Sequence, residues 1–385
     1  MRLARLGLPA RVAVAALLVS AAMSAAGRAE AGVLDLAAAG SARSLGGAWG
    51  TAREVPGTAA LNRGPYAEIN SVSCATAGNC SAGGLYTDAA GHVQAFVVSQ
   101  VADVWGTARQ VPGIAGLNTG GDAILYGVSC ATPGNCSAGG YYRDAAGQFR
   151  AFVVSQTGGT WGTARQVPGT AALNKGGNAV TGGVSCAAPG NCGASGEYTD
   201  AAGHLQAFVV SQAGGTWGTA RQVPGTVGLD KGRNASIGPL SCATPGNCAA
   251  GGQYSSDTVG HRQAFVVSQV GGTWSGAEEV PGTAALNKGG NARIAALSCA
   301  APGNCSAGGW YAPQAADASH SQAFVVSQAG GTWGTAEEVP GIGVLNTSRY
   351  AQISSVSCAA PGHCSAGGFY TDASGNQQVF VVSET

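Results

Sequence analysis

Six of the seven tryptophans in this chain sit at the same point of an internal repeat. Trp49, Trp105, Trp161, Trp217, Trp274 and Trp333 are spaced 56, 56, 56, 57 and 59 residues apart, and the stretch after each is nearly a copy of the others. A self-similar period of about 40–60 residues marks a propeller or another repeat array, because one such unit cannot bury its apolar surface alone. The period says much about architecture and little about a ligand.

Only 10% of the residues are charged while 45% are hydrophobic. Disorder needs the opposite balance, so the chain has a core. Alanine supplies much of that hydrophobic fraction, and with 64 glycines the packing must be of small side chains. Net charge is zero and there is no basic run. Nucleic acid and anionic membranes both require an electrostatic footprint, which argues against either as a partner.

Arg2, Arg5 and Arg11 precede an apolar run from Val12 to Met23, and Ala29-Glu30-Ala31 offers a small-residue cleavage site. Residues 1–31 therefore read as a secretory signal peptide and 32–48 as a flexible leader. An uncleaved anchor is the alternative. After cleavage no membrane segment is expected, and the mature chain is expected outside the cell.

Twelve cysteines form six C-x5-C pairs: Cys74/Cys80, Cys130/Cys136, Cys186/Cys192, Cys242/Cys248, Cys299/Cys305 and Cys358/Cys364. Even count, fixed local spacing and a signal peptide argue for disulfides. A zinc site wants four converging ligands. These pairs lie far apart in sequence, and the five histidines keep no fixed offset from them. No metal or cofactor is expected.

One repeat reads as four strands. Ile69 to Cys74 is strand a, Cys80 to Tyr86 strand b, Gln94 to Gln100 (QAFVVSQ) strand c and Trp105 to Val111 strand d. Gly/Pro-rich turns separate them. Each cysteine pair flanks the a–b turn, where opposed residues come within disulfide reach. The repeat region opens at Trp49 with strand d alone (WGTAREVPG) and ends at VFVVSET with strand c. The opening element is thus expected to complete the last blade. That would close residues 49–385 into an all-β, six-bladed β-propeller of four-stranded blades, a monomer.

The pattern resembles a group of bacterial secreted propeller repeats marked by S-C-x5-C-x-A-G-G and a later G-G-x-W. Ser73-Cys74, Cys80-Ser81-Ala82-Gly83-Gly84 and Gly158-Gly159-Thr160-Trp161 carry it. The resemblance spans nearly the whole mature chain and implies a fold, since such proteins are mostly of unknown function. A fainter likeness is to the Asp-box of sialidase-like propellers. The stretch Ser155 to Trp161 is one residue short of that motif and lacks its Asp.

Near-identical copies expose their own differences. Every insertion falls in a b–c loop. The start of strand a reads Glu68, Ile124, Val180, Ser236, Arg293, Gln352. Two residues on it reads Asn70, Tyr126, Gly182, Gly238, Ala295, Ser354. The end of strand b reads Leu85, Tyr141, Glu197, Gln253, Trp310, Phe369. Propeller topology puts all three toward the face shared by the d–a and b–c loops. Variation on a rigid frame suits a ligand surface, and equally suits drift at exposed positions. Repeated polar groups on that face are also candidates: Asn62 and its copies, Tyr86 and its copies, and Asp88 with Asp144, Asp200 and Asp372. Aromatic, amide and carboxylate together suit a sugar, whereas Asn and Asp also build turns.

No H-E-x-x-H, G-x-S-x-G or P-loop motif occurs. The expected function is a secreted non-catalytic binding module, lectin-like with several similar sites, for a polysaccharide, a cell-wall glycan or a surface protein. The alternatives are a glycosidase- or lyase-type propeller enzyme using Glu68 and Glu197, and a structural surface protein with no ligand.

Overall fold

The computed structural model describes residues 50–315, 320–347 and 349–384. Residues 1–49, with the expected signal peptide, the expected leader and Trp49, lie outside these residues. Six antiparallel sheets follow one another along the chain, each with a hairpin disulfide. In the second sheet, strands a, b and c are Ala123–Thr132, Asn135–Arg143 and Phe149–Thr157. Strand d is two short pieces, Thr160–Trp161 and Arg165–Gln166, which both pair with c. It is interrupted because Gly162 N–H turns back onto the Ser155 carbonyl. Ala164 N–H meanwhile bonds the Pro112 carbonyl of the preceding repeat at 2.7 Å. After each V-P-G the chain makes a one-turn helix, such as Ile114–Leu117, entered through a left-handed glycine (Gly113, φ 80°). The sequence pattern predicts only a connection there.

All six cysteine pairs are joined as the spacing predicts: Cys74–Cys80, Cys130–Cys136, Cys186–Cys192, Cys242–Cys248, Cys299–Cys305 and Cys358–Cys364. The two cysteines of each pair are direct cross-strand partners. Their Cα atoms are 3.9–4.0 Å apart. Strand a of each sheet packs across strands a, b and c of the sheet before it, so the sheets stand face to face as blades. The molecule is an all-β, six-bladed propeller. In the first five sheets strand c is buried on both sides, and Phe96, Phe152, Phe208, Phe265 and Phe324 are among its largest enclosed side chains.

Five blade junctions repeat the same polar bonds. Ser73 Oγ accepts from Cys130 N–H at 3.0 Å, and Ser129, Ser185, Ser241 and Ser298 do the same for Cys186, Cys242, Cys299 and Cys358. A burial pattern of Ala and Gly leaves little room for adjustment at these junctions, since packed interiors are dense.

Closure differs from the sequence expectation. The sixth sheet has three strands, Ala351–Ala360, His363–Thr371 and Gln377–Ser383. Residues 50–55, assigned from sequence to its outer strand, form no strand. The V-P-G contact that joins successive repeats is nevertheless present there. The Pro56 carbonyl accepts the Ala108 N–H at 2.7 Å, and Gly57 lies against the Thr107 side chain. Pro56 thus meets the first blade as each later V-P-G meets the blade that follows it. Beyond the last strand, Glu384 N–H bonds the Cys364 carbonyl at 2.8 Å, and its carboxylate accepts from Ser306 of the fifth sheet at 3.0 Å.

Candidate functional site

The backbone confirms the two faces. At one, the a–b and c–d turns are joined, as by Gly159 N–H to the Gly134 carbonyl at 2.9 Å. At the other, the d–a connections meet the b–c loops, as by Arg143 N–H to the Asp122 carbonyl and Val93 N–H to the Gly121 carbonyl. The disulfides stand beside the first face, because each flanks an a–b turn. Cys364 and its counterparts Cys80, Cys136, Cys192, Cys248 and Cys305 therefore hold hairpins away from the face of the d–a and b–c loops. With every cysteine spent in this way, none is free to act as a nucleophile or a metal ligand.

On this second face the repeated polar residues are internally engaged. Asp88 Oδ1 accepts the N–H groups of Ala90 and His92 at 2.9 Å, and its Oδ2 accepts from Gln94. These bonds, set against partial burial, hold the carboxyl below its ordinary range. Asp144, Asp200 and Asp372 brace their loops in the same way. Asn118 donates to the Val93 carbonyl at 3.1 Å and accepts the Asp122 N–H at 2.8 Å, stapling two blades. Tyr86 and its copies through Tyr311 are buried. Tyr254 donates its hydroxyl to Glu279 at 2.5 Å, and Tyr311 to Glu338. Asn70 donates to the Leu125 carbonyl of the next sheet at 2.9 Å.

The variable residues behave differently. The first and third variable positions are cross-strand partners in every blade: Glu68 with Leu85, Ile124 with Tyr141, Val180 with Glu197, Ser236 with Gln253, Arg293 with Trp310, Gln352 with Phe369. Opposed residues project on one side of a sheet. The second position falls where the a–b register shifts, so Tyr126 and its counterparts sit on a β-bulge. Bulges re-aim side chains and concentrate near sites. The motif glycines make this possible. A Cβ on Gly84, Gly140, Gly196, Gly252, Gly309 or Gly368 would lie 1.8–2.1 Å from the carbonyl oxygen of the first variable residue.

Tyr126 and Tyr141 are in contact, and Glu197 and Arg293 are linked to this pair through charge. The Tyr126 and Tyr141 rings are 5.7 Å apart, and Phe149 meets Tyr141 edge-on at 5.0 Å. The Tyr141 hydroxyl donates to Asp122 at 3.3 Å. Burial raises the Tyr126 hydroxyl above its ordinary range, with the charges of Asp122 and Glu197 adding to it. Burial also raises the Glu197 carboxyl, opposed by Arg293. The Arg293 guanidinium is lowered by burial and by Arg262, and supported by Glu197. Glu197 and Arg293 belong to the third and fifth sheets, which are not neighbours. They are not joined as an ion pair among the described residues. Arg293 Nε is buried with no acceptor among those residues. Its guanidinium reaches into space left by Gly238, whose absent Cβ would lie 3.5 Å from Nη2.

Other candidates stay outside this group. Glu68 is exposed on the first sheet, whereas Leu85, Trp310 and Phe369 are half-buried beside their cross-strand partners. Sequence reasoning missed Asp122, Phe149 and Arg262. The last two belong to a fourth variable position, Val93, Phe149, Leu205, Arg262, Ser321, Gln377, which the same comparison of copies would have found. Among the described residues no three His, Cys, Asp or Glu side chains cluster as a metal site. No described helix is long and apolar enough to cross a membrane.

No protein-family model matches the chain, and no curated protein matches it in sequence. Three solved structures illustrate what it is similar to. A Hadza microbial sialidase is 11% identical over 81% of this chain and 65% of its own, with a TM-score of 0.44. The fungal lectin of Aleuria aurantia, a six-bladed β-propeller that recognises fucose, is 12% identical over 82% and 91%, with a TM-score of 0.39. The xyloglucanase of Xanthomonas campestris is 13% identical over 82% of this chain and 44% of its own, with a TM-score of 0.45.

Proposed function

We propose that the chain is a non-catalytic binding module that holds a saccharide on the face of the d–a and b–c loops. The seat is one composite site of Tyr126, Tyr141, Glu197 and Arg293. The observation that carries this reading is the contrast on that face. Repeated polar groups are spent on turns and staples, while non-repeated ones from three blades converge with Arg293 Nε unpaired. Aromatic rings offer a flat apolar surface and the charged groups offer hydrogen bonds at its edge, which is what a sugar ring needs. The repeated Asn, Tyr and Asp residues no longer support several equivalent sites.

Binding of the purified protein to a glycan array and to whole cell-wall polysaccharide tests the reading. Tyr126→Ala should weaken any saccharide bound by roughly tenfold, the loss expected from one stacked ring. Silence on the array and on cell walls rejects it.

One observation favours a second reading, glycoside hydrolysis. A carboxyl raised by burial, as Glu197 is, suits a general acid. Its expected partner, Glu68, is exposed on a different sheet. Turnover of a bound glycan that disappears in Glu197→Gln while binding survives would establish this reading over the first.

A further inference from the structure

The connection from strand d to the next strand a carries Asn in five of its six copies, and Asp230 between the third and fourth sheets. The asparagines that join neighbouring sheets use both ends of the amide. Asn118 Oδ1 accepts the Asp122 and Arg143 N–H groups of the second sheet's side at 2.8 and 3.4 Å. Its Nδ2 donates back to the first sheet, to the Val93 carbonyl at 3.1 Å and to Gln94 Oε1 at 3.0 Å. Asn174, Asn287 and Asn346 donate in the same way to the Phe149, Arg262 and Ser321 carbonyls at 3.1, 2.8 and 2.9 Å.

Asp230 keeps the accepting half of this staple and lacks the donating half. Its Oδ1 accepts the Asn234 and Ser255 N–H groups at 2.8 and 3.1 Å, so the side chain lies as the asparagines do. Oδ2 then stands where they carry Nδ2, toward the Leu205 carbonyl and Gln206. Both present acceptors: the Leu205 carbonyl takes the Ala235 N–H at 2.9 Å, and Gln206 Oε1 takes a proton from Gln222 at 2.6 Å. Asp230 is 5% exposed, and its Oδ2 is buried with no hydrogen-bond partner among the described residues. An ionised oxygen held against carbonyl oxygens and away from water is costly. A carboxylic acid supplies the missing donor, because its O–H can do what the amide N–H does at the other junctions.

We propose that Asp230 is a pH-sensitive latch between the third and fourth sheets: as a neutral acid it closes the junction as Asn does elsewhere, and on losing its proton it keeps only the half held by the fourth sheet's side. Burial raises this carboxyl above its ordinary range, against its backbone bonds and the charge of His204. The latch is therefore closed below the ordinary carboxyl range and opens as pH rises through the raised value. The other charged groups around it are Asp200, which faces His204 at 3.4 Å, and Lys231 and Arg233 on its own connection. From the fourth sheet come Asp257 and His261, in the loop against which Gly232 packs. The connection runs on into Ser236 and Gly238, and Gly238 lies beside the Arg293 guanidinium.

Amide hydrogen exchange of the full chain, wild type against Asp230→Asn at equal pH, tests the latch, because local opening sets the protection of these amides. The variant carries the residue of the other junctions and should fold. Asn234, Ala235 and Ser255 should exchange alike in both proteins near pH ~4, and roughly tenfold faster in the wild type near pH ~8, the loss expected from one buried group left unpaired. Asn118→Asp should install the same step on the Asp122 and Arg143 amides, since His92, Val93 and Gln94 stand there as His204, Leu205 and Gln206 stand beside Asp230. His204→Gln, which takes the residue found at Gln148, should keep the step. Equal exchange in the wild type and Asp230→Asn at every pH between about 4 and 9 overturns the proposal. So does a step that vanishes in His204→Gln, which would assign it to the imidazole, or the absence of a step in Asn118→Asp.

Discussion

The two faces of the propeller are made from the same strands and obey different rules. At the end of the a–b and c–d turns, side-chain chemistry repeats: disulfide, Asn cap and Gly-Gly turn recur from blade to blade. At the other end the backbone repeats just as faithfully, yet the paired side chains above it do not. A frame with invariant backbone bonds can change single side chains without changing its fold, as loops on rigid scaffolds do. Ligand chemistry therefore has to be sought in what fails to repeat.

The sharpest test of that contrast is the glycine beneath the variable pair. In Gly140→Ala the new Cβ would lie 1.9 Å from the Ile124 carbonyl oxygen. Overpacking of this kind costs about 3 kcal/mol or more and can prevent folding. Gly116→Ala, with open space around it in a one-turn helix, should be neutral or slightly stabilising. Urea unfolding midpoints compare the two. Equal midpoints would mean that the glycine is not the support of the site.

Next in size is the disulfide. Replacing Cys186 and Cys192 together by Ala should cost about 2 kcal/mol by chain entropy for so short a loop, without altering saccharide binding at the far face. A change in binding would show that the two faces are coupled. Smaller again is Asn174→Ala, which removes a bond to the Phe149 carbonyl and one from Asn178 N–H. About 1–2 kcal/mol is expected from buried groups left unpaired, read as a lower melting temperature.

The smallest effect separates two kinds of carboxyl on that face by pH. Glu197 is raised above its ordinary value in the folded chain, so folding favours its protonated form. Its support is complete below the ordinary carboxyl range and is lost as pH rises through the raised value. Asp144 is lowered, so its support is present above the ordinary value of 3.8 and is lost as pH falls through the lowered one. Unfolding midpoints between about pH 3 and 7 should therefore shift in opposite directions for Glu197→Gln and Asp144→Asn. Parallel shifts would place Glu197 among the structural carboxylates.

Much of this molecule was legible in the chain before folding. Repeat period, strand order, cysteine pairing and the face that varies all follow from local sequence, because each blade is one hairpin-rich unit of short contacts. Glu197 and Arg293 were visible as odd residues at repeated positions, and Phe149 and Arg262 were available to the same comparison. Their mutual influence was not, since it crosses from the third sheet to the fifth. The roles of Asn118 and Asp88 stayed ambiguous for a related reason. Turn-building and sugar-binding use the same side chains, and only the partners at 2.8–3.1 Å decide between them.

The repeat by itself determined six blades, their disulfides and their common core, since these depend on patterns within about 56 residues. Tertiary structure alone decided how the ends lie. The segment read as a closing strand is bound to the first blade by the contact it shares with every other repeat. Whether the first and last units meet depends on an angle summed over five junctions, and no single repeat encodes that sum.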